Sequence, residues 1–277
     1  MRLLIAKKAK SLGVYCLIMI VLIWALLPLY MTITTSFKYQ RDAFSMPPKF
    51  LWFAPTVSNY LSLFQSMDFR KYYLNSVIVT FGSVILVLAV AIPAAYALVR
   101  YDFKGKEILG FFFLTTRVFP PIGLLIPFFV MWIKFGLIDT RMGLVLVYMQ
   151  FNLALAIWML RGFFSELPDV LEEAAMIDGC SRFGAFMRVI LPLAVPGLAA
   201  TAILTAVFTW NEFLYAFALT GREARTVTVA IYNFIGYEEV EWGRLQAAGT
   251  LVILPILIFA LSVEKYLVRG LTAGAVK

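Results

Sequence analysis

Six runs of apolar residues along this chain are long enough to cross a bilayer, which takes about 20 residues at 1.5 Å of helical rise each. They cover residues 13–35, 75–99, 108–133, 142–160, 194–219 and 247–267. They predict an all-α membrane protein, six transmembrane helices in a single domain over residues 1–277. The run from Leu12 to Ile33 is too long for the core of a signal peptide and reads as a retained span. Three connections stand out. Residues 36–74 are polar and aromatic, hold Pro47, Pro48 and Pro55, and read as an external loop with short helices. Residues 161–193 carry Glu166, Asp169, Glu172, Glu173 and Asp178 beside Arg161, Arg182 and Arg188. Residues 220–246 are polar again, with Glu238, Glu239 and Glu241 close to Trp242.

Composition agrees with lipid as the solvent. Of 277 residues, 62% are hydrophobic and 14% charged, against roughly a quarter charged in soluble domains. A soluble protein of this size could not hide so much apolar surface. The net charge of +8 raises nucleic acid as a partner, but no basic patch interleaved with aromatics is present. The bases cluster beside apolar runs, where they meet the anionic lipid of the cytoplasmic leaflet. Arg2, Lys7, Lys8 and Lys10, with no acid among the first ten residues, place the N-terminus inside, since the first helix usually dominates orientation. Six spans then return the C-terminus to the cytoplasm.

Absences narrow the chemistry. The sequence has no histidine, which removes His-based acid–base catalysis, His zinc sites and Ser-His or Cys-His pairs. Cys16 and Cys180 are too far apart to read as a metal or redox motif. No G-x-x-x-x-G-K-[S/T] loop occurs, so the chain carries no such ATP site of its own, and no enzyme activity is expected of it.

The acidic connection is patterned as two short helices. Asp169 stands at an N-cap position, and Glu172 follows at capping-box spacing. Leu171, Ala174, Ala175 and Met176 continue the helix, with Glu172 and Glu173 where the macrodipole favours anions. Gly179 reads as the residue that stops it in the left-handed region. A second helix is expected from Ser181, ending before Pro192. A helix lying on the bilayer would have these features too.

The order of particular residues says more. Glu173-Ala174-Ala175, three residues, Gly179, nine residues, then Val189-x-Leu191-Pro192 resembles the signature loop of permeases in ATP-binding-cassette importers, with Val189 where that family has isoleucine. The resemblance implies a coupling helix that docks in a cleft on a separate ATPase subunit, through Glu173, Ala174, Ala175, Asp178, Gly179, Leu191 and Pro192. ATP and Mg would then be bound by partner subunits, with no cofactor on this chain. Further stretches look like the carbohydrate-importer branch: Ser36-Phe37-Lys38, Asn75-Ser76 opening the second span, Ala94-Ala95-Tyr96-Ala97-Leu98-x-Arg100 closing it, Gly136-Leu137-x-Asp139-Thr140, and Trp210-Asn211-Glu212-Phe213. The end of the chain, Gly270-Leu271-Thr272-Ala273-Gly274-Ala275-Val276-Lys277, resembles the maltose-type six-span subunit. In that subunit the tail, here Gly274, Ala275, Val276 and Lys277, reaches the ATPase pair. The implied partners are a sister permease subunit, two ATPase subunits and an extracytoplasmic sugar-binding protein, all at a bacterial or archaeal inner membrane.

Polar groups at membrane depth are the remaining signal. Gln150 and Asn152 lie well inside the fourth run beside Tyr148, Arg117 precedes Pro120-Pro121 in the third, and Asn211 and Glu212 lie toward the outer end of the fifth. A charge there needs a partner or a cavity. One reading has these groups bonding to neighbouring helices or to the sister subunit. The other has Tyr148, Gln150, Asn152, Asn211 and Glu212 line a sugar path, since amides donate and accept together and a ring covers an apolar sugar face. Asn152 stands where the family more often has proline. An importer for another solute, such as a polyamine, shares the loop and stays open beside the sugar reading. A secondary transporter would be expected to show an internal repeat and acids deep in several spans, and neither is evident.

Overall fold

The computed structural model describes residues 2–234 and 240–273, with side chains from Gly13 to Ser262 except at Met67 and Asn233. The described secondary structure is helical, with no strand among those residues. Three long helices near the ends of the chain are α1 (Arg2–Ser36), α4 (Met67–Arg100) and α14 (Trp242–Ala273), and α2 (Gln40–Ala43) and α3 (Ser58–Gln65) are short. The centre holds α5 (Lys106–Thr115), α6 (Pro121–Lys134), α7 (Arg141–Ser165), α8 (Val170–Ile177) and α9 (Arg182–Ala185). A π-helical turn (Phe186–Ile190), α10 (Leu191–Leu193), α11 (Val195–Trp210), α12 (Leu214–Leu219) and α13 (Val227–Ala230) follow. Four stretches, Gly13–Ser36, Asp68–Arg100, Arg141–Ser165 and Trp242–Ser262, are single helices long and apolar enough to cross a membrane; a fifth results if Arg182–Leu193 and Val195–Trp210, bent by 71°, count as one.

Where the apolar runs and the helices differ, the reason is local. Helix α4 starts at Met67 rather than opening at Asn75, because Phe69 and Tyr72 bury one face of two extra turns while Asp68 and Arg70 stay exposed. The third run divides at residues 116–120. Pro120 and Pro121 have no N–H to give to the preceding turn, and the residue before a proline is pushed out of the helical region. The fifth run divides at residues 211–213. The Glu212 carboxylate there accepts from the backbone N–H of Tyr215 (2.9 Å) and Ala216 (3.2 Å) and so restarts the chain as α12.

The chain forms two compact units, one of the residues before Asp68 with Ile231–Ile253, the other of Asp68–Ala230 with the residues from Leu254 on. In the first, Asn59 donates to the carbonyls of Ser36 (2.8 Å) and Lys38 (2.9 Å), and Ser36 and Tyr60 share a 2.6 Å hydrogen bond. These bonds close the chain end of α1 over α3. In the second, α7 is the axis. Val87, Ala91, Ala95, Ile157, Leu160, Phe164, Phe186 and Ile190 form one buried cluster, and Val79, Leu144, Val147, Tyr148, Tyr215 and Leu219 belong to another. Small residues let the helices approach closely, as is usual where lipid supplies no hydrophobic drive. A methyl group on Gly197 would lie 2.3 Å from Cγ of Phe163, so α11 meets α7 at glycine.

Candidate functional site

The segment 166–193 folds as a short helix with one exposed face, a tight turn and a second helix that meets α11 at a 71° bend. Its start is not the capping box that the spacing predicts. Asp169 has helical dihedrals (φ −61°, ψ −31°), and its side chain caps nothing. It pairs instead with Arg100, and Glu172 turns inward to Tyr96 and Arg100. A full positive charge outbids a backbone N–H for these carboxylates, because ionised pairs make the stronger hydrogen bonds. At the other end Gly179 has φ +89°. The N–H of Cys180 bonds the carbonyl of Ala175 (3.0 Å) and the N–H of Gly179 that of Met176 (3.1 Å), the paired bonds of a Schellman turn. Ser181 then caps α9 by accepting from Gly184 N–H at 3.1 Å. This second helix does not end before Pro192. The wider turn at Phe186–Ile190 carries it into α10, and that local break in the regular hydrogen-bond ladder stands just ahead of Pro192, whose missing N–H a regular α-helix would have required.

Helix α8 has two distinct faces. Glu172 and Ala175 are buried, whereas Glu173 and Ala174 are exposed. Beside them Val170 is 68% and Ile177 86% exposed, so Val170, Glu173, Ala174 and Ile177 make one outer stripe at i, i+3, i+4, i+7 spacing. Asp178, Gly179 and Pro192 are exposed as well. Leu191 is not part of this surface, since it packs against the cluster of Tyr96, Phe164 and Ile190. Val170 and Ile177 were absent from the sequence-derived set; their spacing around Glu173 was the signal for them.

The polar residues at membrane depth fall partly together. Tyr148, Gln150, Asn152 and Glu212, with Thr116, Arg117, Phe208 and Tyr215, line a cavity of about 230 Å³. Asn211 is not among them; its amide bonds the carbonyl of Val207 at 2.8 Å. Asn152 donates to the carbonyl of Tyr148 (2.8 Å) and to the Thr209 hydroxyl (3.3 Å), so it ties α7 to α11. The Gln150 Oε1 atom is buried with no hydrogen-bond partner among the described residues. Arg117 lies over the ring of Phe208, 5.1 Å from its centre. Both interruptions, at 116–120 and 211–213, border this cavity, and irregular backbone at membrane depth is tolerated where it lines a cavity or is buried in protein.

Other residues noted in the sequence form a clamp. Asn75 donates to the carbonyls of Glu223 (2.8 Å) and Arg225 (2.9 Å), and accepts from Arg141 Nε at 2.7 Å. Ser76 Oγ accepts from Val227 N–H at 2.8 Å. Asp139, at φ +54°, takes the backbone N–H groups of Arg222, Glu223 and Ala224 on its carboxylate at 2.9–3.1 Å. Its burial acts to raise the pKa, but those N–H groups, with that of Gly221, outweigh it and hold Asp139 below the usual carboxylate value. Asp139→Ala should therefore lower the stability of the purified protein by about 2 kcal/mol at neutral pH. A depressed pKa gives stability that is present above the unfolded value of about 3.9 and is lost as pH falls through the folded value. Thermal melting should then show parent and variant converging at the acid end. A constant gap across that range would mean that the carboxylate charge is irrelevant.

The tail residues Gly274, Ala275, Val276 and Lys277, and Glu238 and Glu239, lie outside the described residues.

Comparison with known proteins agrees with this architecture. The trehalose transport system permease protein SugB of Mycobacterium tuberculosis is 38% identical, over 92% of this chain and 93% of its own length. The trehalose/maltose transport system permease protein MalG of Thermococcus litoralis is 36% identical over 91% of each. The sulfoquinovosyl glycerol transport system permease protein SmoH of Agrobacterium fabrum is 33% identical, over 93% of this chain and 91% of its own length. Among solved structures, a chain of a bacterial ABC transporter that imports the acidic polysaccharide alginate superposes with a TM-score of 0.81 at 25% identity, covering 94% of this chain and 97% of that one. Residues 87–273 match the model of the binding-protein-dependent transport system inner membrane component family. On that match, and on relatives similar over nearly their whole length, the chain belongs to the family of binding-protein-dependent transport system inner membrane components.

Proposed function

We propose that this chain forms half of the translocation path of an ATP-driven importer for a sugar or glycoside, with α8 as the helix that couples it to a separate ATPase subunit. The observation that carries the reading is the outer stripe of α8. A helix of eight residues is too short to be stable alone, yet it is pinned at both ends and presents two aliphatic side chains and a carboxylate to its surroundings. Such a face suits a protein cleft. Six crossings follow if α5 with α6 and α11 with α12 each count as one broken span, and the basic N-terminus then sets both termini in the cytoplasm. The cavity bounded by the two breaks is a stretch of the path, with Tyr148, Gln150 and Arg117 in its wall. Arg117 and Glu212 put one charge of each sign in that wall, so the cavity does not single out a polycation, and the relatives named for trehalose, maltose and sulfoquinovosyl glycerol transport favour a carbohydrate. A sister permease, an ATPase pair and an external binding protein complete the assembly.

The test is reconstitution. The complete complex in proteoliposomes, with its binding protein, should hydrolyse ATP faster when the matching sugar is added, and this chain purified alone should hydrolyse none above background. Sustained turnover by the isolated chain, or uptake driven by an ion gradient without ATP, would contradict the reading.

A further inference from the structure

Glu172 is a buried carboxylate on the inner face of α8, and nothing in the docking of the outer face uses it. Its Oε1 accepts from the Tyr96 hydroxyl at 2.5 Å, and its Oε2 lies 3.4 Å from Arg100 Nε. Arg100 also pairs with Asp169 through Nη1 and donates from Nη2 to the carbonyl of Leu167 at 2.8 Å. Tyr96 and Arg100 are four residues apart on one face of α4, and the side chains of Arg100 and Glu172 are 9% and 8% exposed. The Tyr96 ring is held in turn by Phe164, at 6.0 Å between centres, and Phe186, at 4.4 Å. One guanidinium thus holds Leu167 and Asp169 by hydrogen bonds and Glu172 by charge, its Nε facing that carboxylate without a hydrogen bond, and the two bonded arms of a planar fork fix orientation as well as distance.

We infer that Glu172 and Arg100 are positioning residues for coupling, a buried tie that makes α8 and the end of α4 move as one body. By chain connection α8 leads only to α7 and α9, so displacement by a partner would otherwise reach α4 through packing alone. The inference rests on α8 being the docking helix, and it assigns the two faces different tasks. The outer face holds the ATPase subunit, and the inner face passes its movement to a span more than 60 residues away in sequence. Cutting the tie should leave docking intact and disconnect hydrolysis from transport.

The experiment measures sugar moved per ATP hydrolysed by the reconstituted complex, together with retention of the ATPase subunits. Glu172→Gln and Arg100→Met should keep the subunits bound and lower that ratio by at least about tenfold, since removing one member of a buried ion pair leaves the other uncompensated. Arg100→Lys, which keeps the charge but not the fork, should fall between. Tyr96→Phe removes one hydroxyl at constant volume, and decides the case by a smaller fall if the charge variants do not assemble. An unchanged ratio in assembled Glu172→Gln and Arg100→Met complexes, or in Tyr96→Phe where those do not assemble, would overturn the tie. Glu173→Lys separates this from the docking reading: it should release the ATPase subunits, and if it retains both subunits and uptake, docking by α8 is what fails.

Discussion

Gly179→Val should reach the membrane, keep its helices and lose ATP-driven uptake by at least about tenfold. The glycine stands at φ +89°, where a β-carbon clashes with its own backbone and the cost is roughly 1–2 kcal/mol, more for a branched side chain. Nothing lies within 4 Å of the position that a β-carbon would take, so crowding by neighbours is not the issue. To relieve the strain the backbone must leave the left-handed region. The paired bonds from Cys180 to Ala175 and from Gly179 to Met176 would then be lost, and α8 would point elsewhere. Asparagine tolerates this conformation, so Gly179→Asn should retain most of the uptake. Equal activity in the valine and asparagine variants would show that the direction of α8 does not matter.

Ile177→Asp should have an equally large effect with no backbone change at all. The side chain is 86% exposed, so the chain by itself gains nothing from it, and surface replacements of this kind alter stability by about 0.5 kcal/mol or less. If α8 docks as proposed, the same side chain fills a cleft on the ATPase subunit. A charge in its place removes an apolar anchor and desolvates a carboxylate, which at about 2 kcal/mol corresponds to binding roughly 30-fold weaker. Pull-down from solubilised membranes should recover this variant without the ATPase subunits, and vesicle uptake should fall with it. A helix merely resting on lipid predicts the opposite, with the ATPase retained and uptake normal.

How much of this could be read beforehand depended on the range over which each signal acts. Lipid demands long apolar helices, so the long runs were plain, and Gly179 announced a left-handed turn because few residues tolerate one. The helix that continues past the apolar stretch through Phe69 and Tyr72 was hidden, because hydropathy records lipid contact rather than backbone conformation. The capping box at Asp169 and Glu172 failed for a related reason. Its spacing is a local signal, whereas the charge that claims both carboxylates is Arg100, 69 residues before Asp169. The same applies to the cavity. Tyr148, Gln150 and Asn152 were noticed for their polarity, but only the folded chain shows Asn152 spending its donors on Tyr148 and Thr209. Asn75, Ser76 and Asp139 entered as family resemblance alone, and their common task of holding residues 222–227 emerges only when three separate stretches meet.

The most direct measurement is a photo-crosslinker placed at position 177 in the assembled complex. Its side chain would replace one that is almost fully exposed on this chain, so whatever it captures is what covers α8. The account predicts a covalent adduct between this chain and one ATPase subunit, lost when Gly179→Val is added to the same chain. Adducts with lipid or with the sister permease, and none with the ATPase subunit in a complex that is transporting sugar, would contradict it.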